Sequence, residues 1–306
     1  MTARDLSFFS SGTRCSATLW PAAADGPIPG VVLCHGFRGI RAWFEPGIAA
    51  LFSAAGMAVV TFDYRGFGDS DGEPGRLVPS EQVEDIRNAL TLLAGQPGVD
   101  AGRLALFGTS FGGSNAVAAA AADARVGATV CVVGLGDVGR AWRSAATRLE
   151  PVLAADRARR VLTGRSAAID PADILDNDQS RAAFAAAEQH FPNLRRDFPL
   201  EAVERIFEFA PERVAADIAP RALLTIGAES DHAVPTEETR HLYRAAADPK
   251  RLEILPIAHY DVYGPPHREH VVDLSLRWFA EHLDAPRLRP SFPATTVTTP
   301  EARSAP

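Results

Sequence analysis

The 306 residues suffice for one large α/β domain or two small ones, and an apolar fraction of 46% is ample for a buried core. A formal net charge of −7 excludes the strongly basic footprint of a nucleic-acid binder, and no apolar run approaches the ~18 residues that a membrane helix needs. Cys15, Cys34 and Cys131, an odd three and widely spaced, read as buried thiols of a reducing compartment without disulfides.

The first ten residues carry Asp5 and no long apolar core, so they do not read as a secretory signal, and a soluble cytoplasmic protein is the expectation. Residues 6–9 and 15–20 flank Ser11-Gly12-Thr13 and predict a hairpin. Residues 30–35 form a short apolar strand of the kind buried on both faces. Helical spacing follows over 48–55, and a second buried strand over 57–62. Val83, Ile86, Leu90 and Leu93 mark an amphipathic helix over 81–93. Residues 104–107 predict another strand, followed by a tight turn at Ser110 and an Ala-rich helix to 122, then a strand over 128–133. This alternation predicts an α/β fold with a parallel sheet and right-handed crossovers.

The alternation stops near Asp137. Residues 142–207 show no clear strand but helical patches over 141–149, 152–162, 180–190 and 200–207, punctuated by Pro171, Pro192 and Pro199. Strand-like runs return over 221–226 and 251–257, and a last helix over 268–283. From Ala285 onward Pro, Ser, Thr and Ala dominate without periodicity, predicting a disordered tail over 285–306. The chain thus divides into a core of 1–136 and 212–284 and a helical insertion of 137–211.

The turn Gly108-Thr109-Ser110-Phe111-Gly112 is a G-x-S-x-G pattern between a strand and a helix. A serine on such a corner projects its hydroxyl clear of the sheet, and the helix behind it aims backbone N–H groups at the same spot. The plainer reading is a βα turn with a serine cap. A serine nucleophile needs a base and a group that orients the base. Asp231 and His259 each follow a predicted strand, and in a parallel sheet both loops open on the same carboxyl edge as Ser110. Asp137, after the strand ending at Val133, is the rival acid. Asp63 and Arg65 read as an ion pair or loop staple beneath the site. Gly134 to Gly139 matches a dinucleotide fingerprint, but it is not the first βα turn, and Asp156, the acid that would follow, sits in a helical stretch. His267 and His270 have no third ligand in view and read as a helix N-terminus, so no metal is expected. Nothing around Cys34 beyond His35 suggests a reactive thiol.

Taken in order, His35-Gly36-Phe37, Asp63 to Ser70, Gly108 to Gly112, Gly227…Asp231…Val234-Pro235 and His259 resemble the α/β-hydrolase superfamily over about residues 6–283. The resemblance implies a mostly parallel eight-stranded sheet flanked by helices, with residues 137–211 as a helical cap. It implies Ser110 as nucleophile, His259 as base, Asp231 as its orienting acid, and an oxyanion hole from the backbone N–H groups of Phe37 and Phe111, without cofactor. Trp142, Leu149, Leu153, Phe184, Phe191 and Phe198 would line an acyl pocket or pack the cap onto the core. Arg38, Arg41, Arg140 and Arg143 lie near the expected mouth, where they could meet an anionic substrate. Trp142, Arg38 and Phe184 are the substrate-binding candidates. The local sequences look closest to bacterial esterase, peptidase-like and polyketide-processing members. The expected function is cleavage of a carboxylic ester, thioester, lactone or amide through an acyl-enzyme on Ser110. An acyltransferase or natural-product tailoring enzyme with a non-water acceptor, and a non-catalytic ligand-binding protein, are the alternatives. The expected partner is a small-molecule acyl substrate, with neither nucleic acid nor membrane; a homodimer is left open.

Overall fold

The computed structural model describes residues 2–22 and 26–289. The chain opens with an antiparallel hairpin of β1 (Arg4–Ser10) and β2 (Thr13–Trp20), turning at Ser11-Gly12. It then alternates through β3 (Ile28–Cys34), α1 (Glu45–Ala54), β4 (Ala58–Phe62), α2 (Pro79–Ala94), β5 (Val99–Thr109), α3 (Phe111–Ala122) and β6 (Val126–Val132). The insertion holds α4 (Val138–Ala141), α5 (Arg143–Thr163), β7 (Ala168–Ile169), α6 (Asp178–Glu188), β8 (Phe198–Pro199) and α7 (Leu200–Glu208). The core resumes with β9 (Ala222–Ser230), α8 (Thr236–Ala245), β10 (Lys250–Ala258) and α9 (His267–His282).

The eight long strands form one sheet in the order β1-β2-β4-β3-β5-β6-β9-β10. The pairs β1/β2 and β2/β4 are antiparallel and the others parallel, so the hairpin and the mostly parallel sheet stand as expected. The alternation of side chains explains why both faces are covered. Val31 and Leu33 of β3 point to one face, Val32 and Cys34 to the other, and all are buried. The first face packs on Ile48, Ala49 and Phe52 of α1 and on Val272, Leu276 and Phe279 of α9. The second packs on Ile86 and Leu90 of α2 and on Ala116, Val117 and Ala120 of α3. Each of the fully buried Val, Leu, Ile and Phe side chains among them contributes about 1.5–3 kcal/mol relative to exposure.

Three features depart from the sequence reading. The patches 141–149 and 152–162 are largely one helix, α5, which runs through Pro151. Pro151 is exposed and costs one backbone bond, whereas Ala145, Leu149 and Leu153 keep a single buried stripe on either side of it. The insertion also contains a two-residue antiparallel ladder between β7 and β8. Finally, Ala285 and Leu288 are buried against the α1/α9 face, so the chain remains packed past the predicted start of the tail. Residues 290–306 of that predicted tail lie outside the described residues. Among the described residues no helix is long and apolar enough to cross a membrane.

Candidate active site

Strand β5 ends at Thr109 and α3 begins at Phe111, so Ser110 alone makes the corner. Its φ of 54° and ψ of −128° lie where an L-residue is strained, at a cost of order 1–3 kcal/mol. The surroundings enforce it. The Ser110 N–H donates to the Val132 carbonyl at 2.8 Å, and its carbonyl accepts from the N–H of Gly113 at 2.9 Å. A side chain at Gly112 would overlap the carbonyl oxygens of Cys34 and His35, and one at Gly108 would overlap the carbonyl of Gly112. Both glycines of the pattern are therefore required by close backbone approach. Gly36 faces the same corner, where a Cβ would stand 3.1 Å from the Cβ of Ser110.

Two strand ends deliver the acid and the imidazole. Asp231 follows β9 and His259 follows β10. His259 Nδ1 lies 2.7 Å from Asp231 Oδ2, with both side chains at most 2% exposed. The other carboxylate oxygen accepts from the N–H groups of Ala233 at 2.9 Å and Val234 at 2.7 Å, which fixes the carboxylate plane. A neutral ring with its Nδ1 proton on Asp231 carries its lone pair on Nε2. His259 and Ser110 line one cavity of about 20 Å³, with Gly36, Phe37, Glu45, Leu175, Phe184 and Tyr263 among its other walls. Among the described residues no hydrogen bond joins the Ser110 hydroxyl to His259. Asp137, the rival acid, instead caps α4 by accepting from the Arg140 N–H at 2.9 Å.

The remaining sequence candidates separate clearly. The backbone N–H groups of Phe37 and Phe111 donate to no group among the described residues, and Phe37 itself lines the chamber. Phe184 lines the chamber too, and the Arg38 guanidinium sits 4.4 Å above its ring. Arg38 is not open to solvent at a mouth: it is 5% exposed, pairs with Glu188 at 2.6 Å, and lines an adjoining cavity of about 300 Å³. Trp142 does not line the chamber. Its indole stacks on Phe111 and meets Phe37 edge-on at 5.3 Å, while its N–H donates to the Ala233 carbonyl at 3.0 Å. Phe198 likewise packs on Phe37. Arg140 is held by Glu212 and Glu238, and Arg41 by Asp63 and Asp69. Asp63 and Arg65 are staples, but not of each other. Asp63 accepts from the Arg41 and Asp69 N–H groups, whereas Arg65 pairs with Asp85 and Glu84.

Helix α6 ties the insertion to all three arms of this site. Gln179 donates to the Ser230 carbonyl at 3.4 Å, Ser180 accepts from the Tyr260 hydroxyl at 3.0 Å, and Glu188 holds Arg38. These partners are the chain neighbours of Asp231, His259 and Phe37.

Burial dominates the local electrostatics. It lowers the pKa of His35 despite Asp63 nearby, and raises Cys34 and Cys131, which makes both thiols inert. Burial also holds the Glu45 carboxyl proton up to about 8, with Asp63 adding like charge. The sequence reading missed Glu45 as a wall of the chamber; between Phe44 and Pro46 it reads as an ordinary first-turn acid of a helix. The dinucleotide-like glycines are explained by packing: side chains there would strike Cys131 at Gly134, Glu212 at Gly136 and the Phe207 carbonyl at Gly139. Asp156 lies in α5 and accepts from Ser166 and Ala167. His267 opens α9. Among the described residues no group of three or more His, Cys, Asp or Glu side chains is placed to hold a metal ion. A larger groove of about 660 Å³ lies at the opposite, amino edge of the sheet, between Pro27–Pro29 and residues 284–289, away from Ser110.

The profile of the family described as "Serine aminopeptidase, S33" (Hydrolase_4) matches residues 26–262. A 31.7 kDa protein encoded in the traX-finO intergenic region of Escherichia coli is 33% identical over 262 residues, covering 83% of this chain and 91% of that one. The polyketide transferase grgF of a Penicillium species is 31% identical over 255 residues, covering 80% of this chain and 84% of that protein. The crystal structure of the α/β hydrolase GrgF from Penicillium sp. sh18 superposes with a TM-score of 0.80 at 24% identity, covering 93% of this chain and all of that one, a likeness of fold alone.

Proposed function

The chain belongs to the serine aminopeptidase S33 family of α/β-hydrolases, and on that premise we propose that it is a serine hydrolase of carboxylic esters, thioesters, lactones or amides. The observation that carries this reading is the buried 2.7 Å contact of Asp231 with His259, on the wall of the chamber that Ser110 also lines. In this reading Asp231 holds the ring so that Nε2 faces the chamber as a base. Nε2 takes the Ser110 proton as the oxygen attacks the substrate carbonyl, and returns it to the departing oxygen, sulfur or nitrogen. The undonated N–H groups of Phe37 and Phe111 receive the developing oxyanion, each worth roughly 3 kcal/mol of barrier. Water, activated by the same imidazole, then releases the acyl group. Residues 137–211 serve as the cap, with Phe184 against the acyl group and Arg38 behind it.

A second reading, acyl transfer to an acceptor other than water, is supported by the name of the Penicillium relative. One experiment serves both. Fluorophosphonate treatment should add one adduct at Ser110 by intact mass, and none in Ser110→Ala. Activated esters should give a burst of leaving group, and added alcohols or amines should partition the acyl-enzyme under the second reading. Absence of the adduct in the native protein would refute both and leave a non-catalytic binding protein.

A further inference from the structure

Glu45 is a buried acid in the chamber wall that the mechanism above leaves idle. It opens α1, is 4% exposed, and shares the cavity with Ser110, His259, His35 and Tyr263. The backbone N–H groups of Phe44 and Glu45 bear on its carboxyl, as do Asp63, a like charge, and the titratable Cys34 and Tyr263; among the described residues no cation acts on it. Aromatic rings form much of the rest of the wall: Trp43 stacks on Phe44 at 4.1 Å, and Phe44 on Tyr263 at 3.8 Å. An unpaired carboxylate in such a place is costly.

Resting on the acyl-hydrolase reading, we propose that Glu45 is the residue that reads the acyl group, by hydrogen-bonding a keto or hydroxyl oxygen close to the carbonyl that Ser110 attacks. The chamber decides the position of that oxygen. Glu45 and Ser110 line the same small chamber, of about 20 Å³, so an acyl oxygen that meets Glu45 there belongs to the part of the chain next to the carbonyl. The protonation state decides the chemistry. Held by burial up to about 8, the side chain is a neutral acid at pH 7 and offers an O–H donor. A neutral donor among aromatic walls favours an uncharged oxygen acceptor. A plain acyl chain would leave that donor unsatisfied, which is the feature that discriminates most strongly between otherwise equal substrates.

The test uses the full-length protein and three thioesters of one chain length, unsubstituted, 3-oxo and 3-hydroxy, with kcat/KM as the readout. The native protein should favour at least one oxygenated ester over the plain one by tenfold or more. Glu45→Leu should bring that ratio to about one, whatever its effect on the absolute kcat/KM. Glu45→Gln, which still presents an N–H donor, should hold an intermediate ratio and shows that a loss in Glu45→Leu is not simple misfolding. Raising the pH through 8 should erode the native ratio and leave that of Glu45→Gln unchanged. A native ratio near one, or an equal ratio in Glu45→Leu, with fluorophosphonate labelling intact, overturns the role of Glu45 alone. No turnover and no labelling overturns the hydrolase reading and this inference with it.

Discussion

Glu45 also makes the fold itself sensitive to pH. Its proton is held in the folded protein up to about 8 by burial, against 4.5 for an ordinary glutamate. The folded state therefore binds a proton that the unfolded state has lost between these values, and stability falls as pH rises across that window. Each pH unit in the window costs about 1.4 kcal/mol, so pH 7, which is 2.5 units above 4.5, places about 3 kcal/mol of penalty on the native protein. Below pH 4.5 both states are protonated and the penalty vanishes. Glu45→Gln removes the ionisation while keeping the shape, at a constant cost of about 1 kcal/mol for a buried amide. The expected outcome is a variant that is equal to or weaker than the native protein at pH 4.5 and about 2 kcal/mol stronger at pH 7, read by urea denaturation at both. The other titratable or charged groups around the site are Cys34, His35, Asp63, His259, Tyr260 and Tyr263, with Arg268 of α9 against Gly47 two residues on. They are present in both proteins and cancel in the comparison. A stability difference that stays the same within 1 kcal/mol at the two pH values would refute the argument.

Three further outcomes are expected. Asp231→Asn turns an acceptor into a donor opposite His259 Nδ1, so the ring takes the wrong tautomer, and kcat on an activated ester should fall on the order of 10³- to 10⁴-fold with the fold intact; a loss under tenfold would speak against Asp231. Gly112→Ala drives a methyl into the carbonyl oxygens of Cys34 and His35 and should cost more than about 3 kcal/mol by denaturation or abolish soluble expression; a variant within 0.5 kcal/mol of native would contradict the close approach. Trp142→Phe leaves the Ala233 carbonyl without its indole donor and should lower stability by about 1–2 kcal/mol; no change would show that water replaces the bond at no cost.

The parts of the molecule legible in the sequence are those set by local chemistry. Strands β3, β4 and β6 announce themselves because a strand covered on both faces must be mostly apolar. Ser110 is legible because backbone contacts on either side admit only glycine. Asp231 and His259 are legible because each stands directly past a strand end. What the sequence hides depends on partners far along the chain. Helix α8 is obscured because it buries Glu238 and Thr239 beside Leu242, so its inner face looks polar. Asp63 and Arg65 look like partners from their spacing, yet they point to Arg41 and Asp85. Trp142 looks like a pocket residue, but its ring is used to wedge the insertion against the two Phe residues beside Ser110. Glu45 looks like a helix-start acid until the sheet carries it into the chamber wall.

The position of α6 has a mechanical consequence. One rigid rod is tethered beside the acid, beside the imidazole and beside the loop facing the serine. Three loops far apart in the chain thus share one support, and a shift of any one of them is resisted through the other two tethers. A substitution anywhere along α6 is therefore felt at three loops that only the fold brings side by side.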